Sequence, residues 1–350
     1  MTFSRPLLLA LFQKRIDGDD ALLELARLRF RQAGLGMEIY GGSIEELDRL
    51  LSFTAGPEAT VLVHLPRELD LLTASGRDQV RELARTFDRR LYGFVSHDRP
   101  EYAGRPSEFR TALSEMNDAL LRTAGRPLLF VEYAAGLDFE QFCTMIESVR
   151  EFELVNACLD IGHLGICHSR KAYGAKHPGE DICALTPTDP RLPEVIDEVQ
   201  EAVTGAAEAV CGLVRRLAGL GKPLHFHLHD GHPLSTLSPY GVSDHLSFLE
   251  TFPLPFAYEG KQSLSSMFGP TGLWRIIGQA CAVLSPTLLS FTLEIHPGRR
   301  REPLADATFL FNHWIDKTNA ELMNGWLLTL TDNHRLLTAA CDNACEGGFR

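Results

Sequence analysis

The sequence predicts an α/β chain folded as one parallel eight-stranded (β/α)8 barrel, and three observations predict it. Short apolar runs alternate with longer stretches of helical periodicity, which is the signature of βα units around a parallel sheet. The alternation occurs eight times in 350 residues, a length that suits a single barrel with extended loops. No Gly-x-Gly-x-x-Gly follows the first apolar run, which weighs against the alternative of an open, doubly wound sheet holding a dinucleotide.

Strands are expected at 6–12, 35–40, 60–65, 91–96, 127–133, 155–161, 224–229 and 288–295. Parallel strands buried on both faces read as nearly continuous apolar runs, and Val61-Leu62-Val63 and Leu128-Leu129-Phe130-Val131 fit. Helices are punctuated between them. Asp19-Asp20 precedes one over 21–32 that Gly34 closes, and Ser43 with Glu45-Glu46 opens another over 44–53. The two longest connections, 166–195 and 230–272, follow strands six and seven, and these extended βα loops belong on the C-terminal, catalytic face of a barrel. No compositional shift divides the chain, so 1–350 reads as one domain in which 166–195 is a lid insertion.

Composition narrows the function classes. With 34 Lys and Arg against 46 Asp and Glu, the net charge of −12 disfavours nucleic acid and anionic membrane as partners, since both need a basic surface. Hydrophobic residues make up 45% of the chain without an unbroken membrane-length run, and 6–12 is too short and wrongly flanked for a leader. The expected compartment is the cytoplasm. The 8 cysteines are scattered through periodic stretches and read as reduced core residues. The Cys341-x3-Cys345 pair reads as incidental, against a metal or redox pair.

Ionisable residues cluster at the ends of the expected strands, where a charge is costly unless a metal, partner or substrate compensates it. His64 ends strand three, His97 follows strand four, and Glu132 lies near the end of strand five. Asp160 and His163 end strand six in Cys158-Leu-Asp-Ile-Gly-His163, strand seven reads His225-Phe-His-Leu-His-Asp-Gly-His232, and strand eight ends Leu293-Glu-Ile-His-Pro297. All strands of a parallel barrel point their C-terminal ends to one face, so these residues converge despite their spacing in the chain. Carboxylates with neutral imidazoles form a ligand set for Mn²⁺, Zn²⁺, Co²⁺ or Fe²⁺.

These residues resemble the xylose isomerase-like barrels, a family that includes sugar isomerases, ketose 3-epimerases, inosose dehydratases and apurinic endonucleases. The resemblance covers strands three to eight. It implies one divalent metal held by Glu132, Asp160, His227 and Glu294, with Glu132, Glu294 and His163 as catalytic residues. The strand-seven ligand is the loosest match, because His225, His227 and His229 share one side by alternation. His227 is preferred since Asp230 stands three residues on, as in the family's His-x-x-(Asp/Glu) pattern. The implied chemistry is isomerisation or epimerisation of a sugar, polyol or related hydroxy-ketone through a metal-stabilised enediolate, with a related lyase or dehydratase as the near alternative.

Substrate contacts are expected from His64, His97, His163, His229 and Asp230, and from Arg170 and Lys171 in the lid. A polyhydroxylated small molecule is the expected partner, and a homo-oligomer stays open. The endonuclease branch adds histidines on strands three and four to build a multinuclear zinc site, and His64 and His97 stand in similar places, so a second or third metal stays open too. Asp244-His245 only approximates that branch's Asp-x-His. A zinc site from Cys167, His168, His177 and Cys183 matches no compact spacing. The segment 268–274 reads as a loop-to-helix turn, His313 and His334 as ordinary helix residues, and Phe226, Trp274, Phe309, Phe311 and Trp314 as packing. A non-catalytic scaffold in a biosynthetic pathway is the non-enzyme alternative.

Overall fold

A computed structural model of the chain describes residues 6–11, 20–52, 60–185, 189–233, 257–258, 262–263, 267–294 and 320–345. Eight strands close a barrel: β1 Leu7–Leu11, β2 Gly36–Tyr40, β3 Val61–His64, β4 Gly93–His97, β5 Leu128–Tyr133, β6 Val155–Asp160, β7 Leu224–Leu228 and β8 Leu289–Leu293. Their order around the barrel is β1-β8-β7-β6-β5-β4-β3-β2. The register is parallel, as in Leu9↔Gly36, Tyr40↔His64, His64↔Val95 and His97↔Glu132. The fold is therefore the (β/α)8 barrel that the alternation of runs predicts, and the open-sheet alternative falls.

The contact pattern divides the chain into two compact units. The first comprises Met1–Leu159, Arg216–Phe226 and Pro286–Thr292, and so holds the barrel strands up to the last residues of β6, β7 and β8. Its helices are α1 Asp20–Gln32, α2 Ile44–Ser52, α3 Ala74–Thr86, the single turn α4 Pro100–Ala103, α5 Pro106–Leu121 and α6 Phe139–Ser148. The expected start signal at Ser43 is in place, and the structure adds two more. Ser43 Oγ accepts the Glu46 N–H at 3.1 Å, Thr73 caps α3, and Asp138 with Gln141 forms a capping box on α6. Inside the barrel Leu9, Leu62, Val95, Phe130 and Cys158 make one buried cluster. One turn of strand alternation from Val95 and Leu62, the same inward face carries polar groups instead.

The second unit comprises Asp160–Arg215, His227–Ser285 and Leu293–Arg350. It contains α7 Ile161–Lys176, α8 Leu192–Thr204, most of α9 Ala206–Ala218, α10 Gly269–Val283 and α11 Ala320–Cys345. Here the sequence expectation needs correcting. Residue 161 starts a helix rather than ending a strand, and most of the first half of the expected 166–195 loop is the body of α7. Asp160 causes the switch: at φ −75° and ψ 104° it leaves the strand and accepts the His163 N–H at 2.8 Å as N-cap. Tyr173 of α7 packs with Ile182, Leu185, and Leu192, Val199 and Ala202 of α8 in a buried cluster. Among the described residues no helix is long and apolar enough to cross a membrane.

Candidate metal and substrate site

In the first unit a chain of buried polar side chains runs across β2, β3, β4, β5, β7 and β8. Glu38, at the centre of β2, is fully buried, with its carboxylate at 2.8 Å from His64 Nδ1, 3.2 Å from His225 Nε2 and 2.6 Å from the Thr292 hydroxyl. His225 Nδ1 lies 2.8 Å from Ser290 Oγ, and Ser290 in turn bonds Tyr92. On its other side His64 Nε2 lies 3.2 Å from His97 Nε2 and 3.4 Å from Glu132 Oε2, and His97 Nε2 is 3.6 Å from the same oxygen. The Tyr40 ring packs on His64 with centroids 4.5 Å apart.

His64, His97 and Glu132 thus offer three ligand atoms within 4.8 Å of one another, a donor set that fits a divalent transition metal. His97 is the last residue of β4 rather than the residue after it, and that one-residue extension pairs it with Glu132. Asp98 follows, and its buried carboxylate accepts the N–H groups of Ala134, Gly136 and Leu137 at 2.8 to 3.0 Å. Burial pushes its pKa up to about 6, against the pull of these donors, and the charge of Glu132 adds to the rise. Asp98 therefore holds the turn that follows Glu132 and its strand.

In the second unit the strand-end residues pair among themselves. His227 Nδ1 is 2.8 Å from Glu294 Oε2, both buried, and the Glu294 N–H bonds the Leu228 carbonyl at 3.2 Å. His229 Nε2 is 2.7 Å from Asp160 Oδ1, and His163 Nε2 is 3.7 Å from Asp160 Oδ2. The Gly162 in Asp-Ile-Gly-His is required by this packing: a Cβ there would stand 1.9 Å from His229 Cε1. The three alternating histidines of strand seven have divided the carboxylates between them, His225 to Glu38, His227 to Glu294 and His229 to Asp160.

Other expected site residues have different surroundings. The buried Asp230 carboxylate accepts the N–H groups of Gly231 and Gly269 at 2.8 Å and of Phe268 at 3.2 Å, so it caps α10, whose own N-cap Phe268 has no capping side chain. Arg170 is exposed on α7 with its fork on Asp181, the Nε bond being 3.0 Å, and Lys171 is exposed beside it. His177 bonds Glu198 and stacks on Tyr173 at 4.3 Å, and the described residues hold no metal-binding group of Cys167, His168, His177 and Cys183. His232 is buried, and burial pushes its pKa down to about 4. Phe226 stacks on Phe291 at 5.1 Å as packing. Asp244, His245, His296, Phe309, Phe311, His313 and Trp314 lie outside the described residues, as does the Cys345 side chain.

Glu38, Ser290 and Thr292 are the residues that sequence reading passed over. Their signal was present: in a parallel barrel a strand buried on both faces has no solvent side, so a polar residue on it needs a partner inside. Met37-Glu-Ile39 and Leu289-Ser-Phe-Thr-Leu293 both break that apolar run.

No family model matches the chain, and no curated protein matches it. Among solved structures, the carboxyl transferase domain of Rhizobium etli pyruvate carboxylase with 3-bromopyruvate matches at 11% identity and a TM-score of 0.42, covering 98% of this chain and 48% of that one. The same domain with pyruvate and biocytin matches at 12% identity and a TM-score of 0.41, covering 97% of this chain and 49% of that one. The chain spans about half the length of these solved chains. The fold assignment rests on the closed strand order of the chain itself.

Proposed function

We propose that the chain is a divalent-metal-dependent isomerase or epimerase of the xylose isomerase-like type, acting on a sugar, polyol or related hydroxy-ketone. The observation that carries the reading is the buried pairing of His227 with Glu294, a carboxylate and an imidazole at the C-terminal ends of neighbouring parallel strands. A buried charge of this kind is retained where a metal or substrate uses it. In the proposal Glu132, Asp160, His227 and Glu294 hold the ion, because each stands at or just beyond the C-terminal end of a barrel strand. Their oxygen and nitrogen donors fit Mn, Co, Fe or Zn.

The bound ion supplies Lewis acidity toward the oxygens of a hydroxy-ketone. The rest of the chemistry belongs to the side chains. Glu132 and Glu294 move a proton to and from the carbon beside the carbonyl, since a carboxylate held close to that carbon is a competent base. His163 orients a substrate oxygen, its backbone N–H being fixed by Asp160. His64, His97 and His229 bind further hydroxyl groups. The test is exchange of solvent deuterium into ketoses incubated with the metal-loaded chain. Incorporation at the carbon beside the carbonyl, abolished in Glu132→Gln and Glu294→Gln, supports the proposal; turnover that survives in metal-stripped protein sinks it.

A two-metal zinc phosphodiesterase is the second reading, favoured by one observation, the convergence of His64, His97 and Glu132 within the first unit. It predicts at least two zinc ions per chain and cleavage of abasic DNA, whereas the net charge of −12 opposes DNA binding.

A further inference from the structure

The interior of a parallel barrel is ordinarily filled with branched apolar side chains, so a fully buried glutamate at the centre of β2 calls for an explanation. Glu38 faces three groups that can donate: His64 Nδ1 at 2.8 Å, the Thr292 hydroxyl at 2.6 Å and His225 Nε2 at 3.2 Å. The Thr292 hydroxyl donates to Glu38, and with the carboxylate ionised, the form that three surrounding donors favour, it only accepts, so all three donate to it. That single condition fixes both rings. His64 carries its proton on Nδ1, which leaves the Nε2 lone pair directed toward His97 and Glu132, 3.2 and 3.4 Å away. His225 carries its proton on Nε2, so its Nδ1 accepts the Ser290 hydroxyl hydrogen at 2.8 Å, and Ser290 is also bonded to Tyr92.

We propose that Glu38 is a positioning residue, one buried carboxylate that sets the tautomer and ring orientation of His64 and so presents the His64 Nε2 lone pair to the ligand or substrate held beside His97 and Glu132. A carboxylate behind an imidazole is the usual way a protein fixes which ring nitrogen faces a metal or a substrate. Neutral His64 without Glu38 is free to place its proton on Nε2, where it would point an N–H at His97 and lose the acceptor. Thr292 and the His225–Ser290–Tyr92 chain hold Glu38 in turn, so the orientation is inherited from β8 and β7 rather than from the substrate. What His64 serves rests on the metal-site reading above; its tautomer does not.

The experiment is long-range proton–nitrogen correlation NMR on the full-length chain with labelled histidine, loaded with zinc and again stripped of metal. His64 is expected as the Nδ1-protonated form and His225 as the Nε2-protonated form in both samples. Either ring in the opposite tautomer, or doubly protonated near neutral pH, overturns the proposal. Glu38→Gln keeps the shape but has one acceptor oxygen. The amide N–H2 then faces one of the two rings, and that ring is expected to invert: His225 to the Nδ1-protonated form, donating to Ser290, or His64 to the Nε2-protonated form. Both rings unchanged in Glu38→Gln overturns the proposal, and the wild-type spectra decide it if the variant does not fold. Absence of bound metal with the predicted tautomers defeats the metal reading alone; bound metal with the wrong tautomers defeats the role of Glu38 alone.

Discussion

Replacing Asp230 separates a residue that holds the fold from one that holds a ligand. Its carboxylate takes three backbone N–H groups, of which those of Phe268 and Gly269, at 3.2 and 2.8 Å, belong to the first turn of α10. In Asp230→Ala these two donors lose their acceptor in a buried place. An unsatisfied buried donor costs roughly 1–3 kcal/mol, so the pair amounts to about 4 kcal/mol. Loss of the negative charge at the start of α10 adds up to about 1 kcal/mol. Asp230→Asn keeps one oxygen and loses about 2 kcal/mol. Urea unfolding followed by circular dichroism measures both. With a slope of roughly 3 kcal/mol per M, the alanine variant unfolds more than about 1 M earlier than the wild type, and the asparagine variant falls between. A wild-type midpoint in Asp230→Ala, with only substrate or metal affinity changed, would refute the capping role and leave Asp230 with the substrate contact that the sequence predicts.

Two further predictions concern the second unit. Gly162→Ala drives a methyl group into the His229 ring, whose Cε1 is 1.9 Å from the ideal Cβ, and breaks its 2.7 Å bond to Asp160; a loss of about 3 kcal/mol in thermal or urea unfolding is expected, and an unperturbed His229 resonance would contradict it. His232 is buried with its pKa pushed from 6.5 down to about 4, so between these values the folded chain stays neutral there while the unfolded chain takes up a proton. Its stabilising contribution is complete above pH 6.5 and disappears as pH falls toward 4, an acid-side loss of roughly 3 kcal/mol. In His232→Leu that part of the stability profile flattens; an identical profile means another group causes it.

The barrel was legible because its strands are short apolar runs whose only requirement is burial on both faces. Their starts and ends fell within two residues, and the departures have local causes. β4 runs on to His97, while β6 stops at Asp160 because that side chain caps a helix. The Asp160-x-x-His163 spacing that carries the resemblance is also the spacing of an N-cap, and the Pro, His and Gly content of 166–195 concealed the helix that the cap begins. Strand-end histidines and carboxylates could be read because charge at an apolar boundary stands out. Glu38 and Thr292 break apolar runs and so left a signal, but their role could not be read because their partners lie 26 to 254 positions away in the chain. The structural role of Asp230 was hidden for a related reason: beside histidines a carboxylate reads as a ligand, and the N–H groups of Phe268 and Gly269 that it accepts lie 38 and 39 positions on.

The proposed function stands or falls with a catalytic divalent ion at the strand-end carboxylates and imidazoles. Elemental analysis of the purified chain beside His227→Ala and Asp160→Ala tests it most directly. One Mn, Co, Fe or Zn per wild-type chain, lost in both folded variants, is the expected result. A wild-type chain that binds no divalent ion when supplied with each of these metals, or variants that retain it in full, would contradict the account.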